Sequence, residues 1–480
     1  MVDAGDLKSS ARKGVRVRVP PSAPSPAQTV RGTVEHGDQT AADPGDRRSL
    51  RSANPDQAAK TKAAQKFVYR VAGVPVIVRR AFAPEPHDTL GIIRDTYARH
   101  YFHTVSKVDR RRVWRALLGW PAIFMLQMAR FTRLNGQIIA ERYGRSIGRQ
   151  LLDQVRLYFR HGILPRWYYI FSLYEGGPRA GAAGFLNRFE TKLALFRLIN
   201  RPGSSPLNDK SAFAAHCLAH GIDAIPLVLV AQGGALDWLG AKGRKLPARD
   251  LFVKPVTARG GKGAERWDYA GKGQYRLADG KPVDGEALIE RIRAESGSTP
   301  RLVQPRMVNH AGISDLSNGA LCTARIMSCL DEKGVPEIVA AVFRMAIGRN
   351  VVVDNIHAGG IAAEIDLGTG RLGPASNLGD DARLGWLSSH PDTGAAIEGR
   401  ELPLWQEARR LAVQAHRAFA DRTVIGWDVA ITSDGPVLVE GNSGPDVDLL
   451  QRPMRRGLAD GRLGELIAFH LIKRGFASPL

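Results

Sequence analysis

The chain predicts an α+β fold preceded by a basic, mostly helical region. Three observations carry this. From about residue 203, short apolar β-rich runs alternate with short helices, without a strict strand–helix–strand repeat. Near the C-terminus, TVIGWDVAITSDGPVLVEGN reads as a hairpin, with Asp434-Gly435 at its turn. Residues 61–200 carry apolar residues at three-to-four spacing with Arg between them, a helical period.

Taken in order, residues 1–60 are rich in Pro, Ser, Ala, Asp and Arg and nearly free of aromatics. They hold too little apolar area to fold and are expected to be disordered. The string GVRVRVPPSAP reads like a translated tRNA-gene end, which would put the true start downstream. Within 61–200 the most hydrophobic piece is VWRALLGWPAIFMLQMARFTR, flanked by Arg110-Arg111-Arg112 and by Arg130 and Arg133. Pro121 is expected to interrupt it, and it is too short to span a bilayer. It reads either as a helix on an anionic membrane surface or as a core helix with snorkelling arginines, and the second reading is the stronger. Residues 203–480 form the expected catalytic region, from HCLAHGIDAIPLVLVA through DLFVKPV, RLVQPRMV, CTARIMSCL and PEIVAAVFRMAIG to a closing helix around LGELIAFHLIKRG.

Composition narrows the function classes. The 480 residues allow a large core and several domains. The net charge of +21 is lopsided: residues 1–200 hold 34 Lys and Arg against 15 Asp and Glu, the remainder 34 against 32. The excess therefore speaks of partners of the N-terminal part, not of chemistry in the C-terminal part. Its arginines are spread over helices, and no nucleic-acid motif accompanies them, so nucleic acid is not expected as a partner. Cys217, Cys322 and Cys329 show no metal spacing. With no apolar signal core or 18-residue apolar run, a cytoplasmic location is expected, with the inner membrane face as a peripheral alternative.

The hairpin carries the most chemistry. Ile425, Trp427, Val429 and Ile431 alternate with Gly426, Asp428 and Ala430, placing Asp428 on the opposite face from the apolar set. Glu440 and Asn442 share a face. A three-residue loop, Ser433-Asp434-Gly435, would set Asp428 opposite Glu440. Two carboxylates and an amide oxygen then form a hard-ligand site suited to Mg²⁺ bound to ATP. A polar strand face turned to solvent is the bland alternative.

Four further segments are weaker alone. In LFVKPVTARGGKGAERW, Lys254 ends an apolar strand before Gly260, Gly261 and Gly263. A lysine there can meet a phosphate, and the glycines let backbone N–H groups approach one. In NDKSAF, Asn208 or Asp209 caps a helix, and Lys210 falls in its first turn, where the macrodipole disfavours a cation unless an anion faces it. In RLVQPRMVNH a strand runs into a polar linker that can present backbone groups to an adenine edge. Arg344, followed by DNIHAGG with Asn355 and His357, offers a charge, an amide and an imidazole for an anionic intermediate.

In this order the pieces resemble the ATP-grasp superfamily over about residues 203–455, and more narrowly its sugar-transfer-associated family, whose members also carry a helical N-terminal extension. DNIHAGG is similar to the Asn-x-His-x-Gly-Gly segment of α-L-glutamate ligases. The resemblance implies an ATP-grasp fold in which two α+β subdomains grip ATP. It implies that Lys210 and Lys254 contact phosphates, that Gly260, Gly261 and Gly263 form a mobile lid, and that Gln304 with Arg306, Met307 and Val308 holds adenine. Asp428, Glu440 and Asn442 would bind two Mg²⁺ ions, while Arg325, Arg344 and Asn355 would face the γ-phosphate and an acyl-phosphate, with His357 beside them. The implied reaction joins a carboxylate to an amine with release of ADP, in cell-surface sugar or amino-acid metabolism. A hydroxyl kinase and a membrane-recruited nucleotide-binding scaffold are the alternatives. There are departures: Val351-Val352-Val353-Asp354 lacks the arginine of the glutamate ligases, Gly426 stands where dipeptide ligases have arginine, and Gln304-Pro305 replaces the usual acidic linker residue. Asp315 is the one candidate for the ribose.

Overall fold

A computed structural model describes residues 88–104, 110–176, 181–200, 203–239, 244–257, 263–277, 280–348, 356 and 359–478. The disorder expected for 1–60 lies outside these residues, as do Gly260, Gly261, Asn355 and His357.

Helices come first: α1 (Thr89–Thr104), α2 (Arg110–Tyr143), α3 (Ile147–His161) and α4 (Pro165–Ile170). The expected break at Pro121 does not occur; α2 runs through it for 34 residues. Pro121 lies on the exposed side, where water can satisfy the carbonyl its ring leaves unbonded. Helix α3 shows why the sequence stops where it does. The Ser146 side chain accepts the Arg149 N–H at one end, and Gly162 closes the other in the left-handed conformation. A π-helical stretch, Glu190–Leu195, leads into α5 (Phe196–Ile199) and then α6 (Lys210–Ala219).

Two wholly antiparallel sheets follow. One holds β1 (Leu229–Gln232), β2 (Ala235–Trp238), β3 (Leu251–Pro255), β4 (Glu265–Gly271), β5 (Gln274–Arg276), β6 (Val283–Asp284) and β7 (Arg301–Pro305), in the order β2-β1-β7-β3-β4-β5-β6. Helix α7 (Gly285–Ser296) covers it, with Leu288 and Ile292 packed against Leu229, Val253 and Trp267. The other holds β8 (Thr323–Leu330), β9 (Pro336–Met345), β10 (Ile361–Ile365), β11 (Leu372–Ser376), β12 (Val424–Thr432) and β13 (Gly435–Asn442), in the order β11-β10-β9-β8-β12-β13. Helix α8 (Trp405–Ala418) seals one face with Trp405, Ala408, Leu411, Ala412 and Ala415 at helical spacing. The opposite face packs Met327, Val342 and Val424 against α1, α9 (Asp448–Met454) and α10 (Arg462–Lys473). Strand β12 is therefore buried along its whole length, Asp428 included, while Glu440 and Asn442 of β13 are half-buried.

The helical region packs directly on the six-stranded sheet. Trp167 Nε1 donates to Asp448 Oδ2 at 3.0 Å, and Asn135 bonds the backbone of Asp380 and Ala382. Arg452, 1 % exposed, donates to the carbonyls of Tyr169 and Ile170 at 3.1 and 3.0 Å and to Ser172 and Ser376. It also lies 4.5 Å from the centre of the Trp386 ring. The segment leading into β1 pairs with β13 of the other sheet: Ile225 N–H donates to Leu438 O at 3.0 Å and Leu438 N–H to Asp223 O at 2.9 Å.

Candidate functional site

The site is built on the β12–β13 hairpin. Its loop has two residues, Ser433-Asp434, because Thr432 pairs with Gly435; the expected three-residue loop does not form. Asp428 still faces Glu440, for a different reason. The register slips by one between Asp428 and Val429, which pair with Glu440 and Leu438, so Val439 is an extra residue in β13. This bulge turns Glu440 onto the face of Asp428, and Asn442 follows opposite Gly426.

Asp428 is 3 % exposed and sits in a row of charges across the strands. Its register partner on β8, Arg325, grips both carboxylate oxygens, with Nη2 at 3.0 Å from Oδ2. Arg344 on β9 lies 3.0 Å from the same Oδ2 and also bonds the Thr323 hydroxyl. Burial pushes the Asp428 carboxyl up, but the Arg325 and Arg344 charges and the hydrogen bonds from Arg325 outweigh it and hold the group below its ordinary value. Asn442 Nδ2 lies 3.4 Å from Glu440 Oε1, so the three expected metal ligands form one cluster. Among the described residues no group of three His, Cys, Asp or Glu side chains could hold an ion. Two carboxylates and an amide are the sparse protein set that fits Mg²⁺ when phosphate oxygens complete its shell. Gly426 has a steric reason: a Cβ there would lie 2.7 Å from Pro445 Cβ.

The lysines come from the other side. Lys254 ends β3, next to Leu302 of β7, with its ammonium 5.9 Å from the centre of the Phe252 ring. Burial pulls it down to about 8; Glu440 opposes the shift and Lys210 adds to it. Lys254 thus feels the charges of both Glu440 and Lys210. Lys210 opens α6 behind Asp209, whose side chain caps the helix through Ser211 and Ala212 N–H, and its Nζ donates to Val256 O at 3.3 Å. Gly263, at the end of the glycine-rich loop, has φ +70°, and its carbonyl accepts from Arg301.

In β7 the Gln304 amide donates to Ile225 O at 3.2 Å, while its buried Oε1 has no protein partner. Beyond it, Arg306 is tied to Asp250 at 3.1 Å and to Gly319 O, Met307 is half-buried and Val308 is exposed. Asp315 is paired through both oxygens with Arg400.

The model of the family described as sugar-transfer associated ATP-grasp matches residues 192–464, more than half of the chain. The chain belongs to that family. A search of curated proteins returned no match. Among solved structures, the D-alanine–D-alanine ligase of Bacillus anthracis with ATP is 12% identical, with 56% of this chain and 67% of that one covered and a TM-score of 0.31. The L-amino acid ligase of Bacillus licheniformis is 13% identical over 58% and 56%, at 0.29. D-alanyl-alanine synthetase A of Vibrio cholerae is 12% identical over 56% and 65%, at 0.32. The match spans about two thirds or less of each.

This ATP-grasp chain also holds a pair of acids that the sequence reading passed over. Asp446 lies 3.3 Å from Arg188, and Asp448 accepts from Trp167. Burial and the neighbouring Asp446 push Asp448 up to about 8, against Trp167, Arg188 and Arg166. The signal was the alternation of Asp446 and Asp448 four residues after Asn442, too short to separate from a turn.

Proposed function

We propose that the chain is an ATP- and Mg²⁺-dependent ligase that joins a carboxylate to an amine through an acyl-phosphate, with a substrate from cell-surface sugar or amino-acid metabolism. The observation that carries this is the Asp428–Glu440 pair on one sheet face, its Asp428 held by Arg325 and Arg344 and its Glu440 interacting electrostatically with Lys254 of the other sheet.

The roles follow from the chemistry. Lys254 and Lys210 bind the phosphate tail, and the Gln304 oxygen receives the adenine amine. Asp428, Glu440 and Asn442 would hold the magnesium, which when bound neutralises charge on the phosphoryl group in transit. Both guanidiniums turn to Asp428, which makes Arg325 and Arg344 positioning groups for that carboxylate. The substrate carboxylate oxygen attacks the γ-phosphorus and ADP leaves. The amine nitrogen then attacks the acyl carbon, and phosphate departs with the former carboxylate oxygen.

The test is ADP release over a panel of carboxylates and amines, followed with ¹⁸O-labelled carboxylate. Label in the released phosphate supports the acyl-phosphate. A stable phosphoester product would instead mean a kinase, and no nucleotide turnover with any pair would defeat the reading.

A further inference from the structure

We propose that the outward faces of α2 and α3 dock on an anionic phospholipid bilayer. The two helices form a hairpin whose inner side is fully employed: Phe124, Ile139, Leu157 and Tyr158 pack with Trp167 and Tyr169. The outer side is apolar where solvent should favour polar groups. Leu118 is 81% exposed, Leu126 70% and Met125 56%, spaced to share one face of α2. Phe159 and Leu152 are exposed on α3, and the Phe159 ring meets Trp120 edge-on at 5.7 Å, so the patch runs from one helix to the other.

Charge selects the occupant. Arg130, Arg133, Arg149 and Arg156 are exposed along the same hairpin. From residue 118 to 161 there are seven arginines and two acids. One of the acids, Asp153, is buried against Arg145, leaving Glu141 as the exposed one. Aliphatic side chains interleaved with arginines on helices that lie flat match the boundary between lipid headgroups and acyl chains, where long cationic stems reach the phosphates. No helix among the described residues is long and apolar enough to cross a membrane, so attachment would be to one surface. The hairpin is anchored to the rest of the protein by Asn135 and Arg142, which bond the backbone of Asp380 and Ala382, so docking would hold the ATP-grasp sheets near the bilayer.

The experiment is co-sedimentation of the full chain with vesicles of phosphatidylcholine alone and with a third phosphatidylglycerol, at low and high salt. The expected result is binding about tenfold or more stronger to the anionic vesicles and weakened by salt. Met125→Asp with Leu126→Asp, and separately Arg133→Glu with Arg156→Glu, should each abolish it while leaving the circular dichroism and melting temperature unchanged, since all four side chains are exposed. Wild-type protein remaining in the supernatant at low salt would overturn the proposal, as would folded variants that bind as well as wild type. So would sedimentation showing that the patch only joins two copies of the chain. None of these outcomes depends on the ligase reading.

Discussion

The two sheets treat charge in opposite ways. The six-stranded sheet brings Asp428 to its interior already matched, with Arg325 and Arg344 on its oxygens. The seven-stranded sheet brings Lys254 to a half-buried place where its charge is disfavoured and its ammonium is pulled down to about 8. The first arrangement is complete without ligand; the second is completed by an anion. Preorganisation and affinity are thus divided between the sheets: one holds its carboxylate in place before any ligand arrives, the other gains most when phosphate arrives.

The largest effect should come from breaking the matched side. Asp428→Ala leaves two buried guanidiniums without their carboxylate. It should cost on the order of 3–5 kcal/mol of stability in denaturant melts, together with all turnover. Loss of activity alone, with stability intact, would show that the arginines are satisfied elsewhere. Glu440→Gln sharpens the contrast, because Glu440 is half-buried and outside the arginine clamp. Turnover should fall roughly 10²–10³-fold, as when one strong electrostatic contact to the transition state is removed, with stability changed by less than about 1 kcal/mol. An equally large stability loss would make it a structural residue. On the unmatched side, Lys254→Ala should raise the ATP requirement roughly 10–100-fold without lowering the melting temperature.

The smallest effect is a proton linkage. A lysine held near 8 is largely uncharged at pH 9 in the free protein, and a bound phosphate would favour its charged form. Nucleotide binding at pH 8–9 should therefore take up a proton, visible as buffer-dependent heat in calorimetry, and weaken as pH rises. In the free protein the folded value lies below the unfolded 10.5, so only the unfolded chain holds this proton between about 8 and 10.5. Stability from this group should rise with pH across that window. Lys254→Ala should remove both trends.

Much of the architecture was legible because period-two alternation marks strands wherever one face is apolar. Asp428, Glu440 and Asn442 emerged from that alternation, and Asp209 from capping chemistry. The bulge at Val439 was not legible, since nothing local distinguishes Val439 from its neighbours; the sequence reading reached the right pairing through a loop one residue too long. The clamp on Asp428 was hidden too. Arg325 lies on β8, about a hundred residues earlier, and only sheet order brings the two together. Pro121 misled because a proline on a wetted helix face costs less than one inside a core.

Arg452 has a practical consequence for anyone wishing to cut this protein down. Its two terminal nitrogens are held by oxygens of residues 169–172 and 376, and one indole face stacks on it. A chain trimmed to begin at 203 would keep the arginine but discard most of those oxygens and the helices that cover it, leaving a cation and its apolar surroundings open to water. The segment that matches the family is a unit of ancestry; as a portable fragment it would need those apolar surroundings made polar before it could be expected to stay folded.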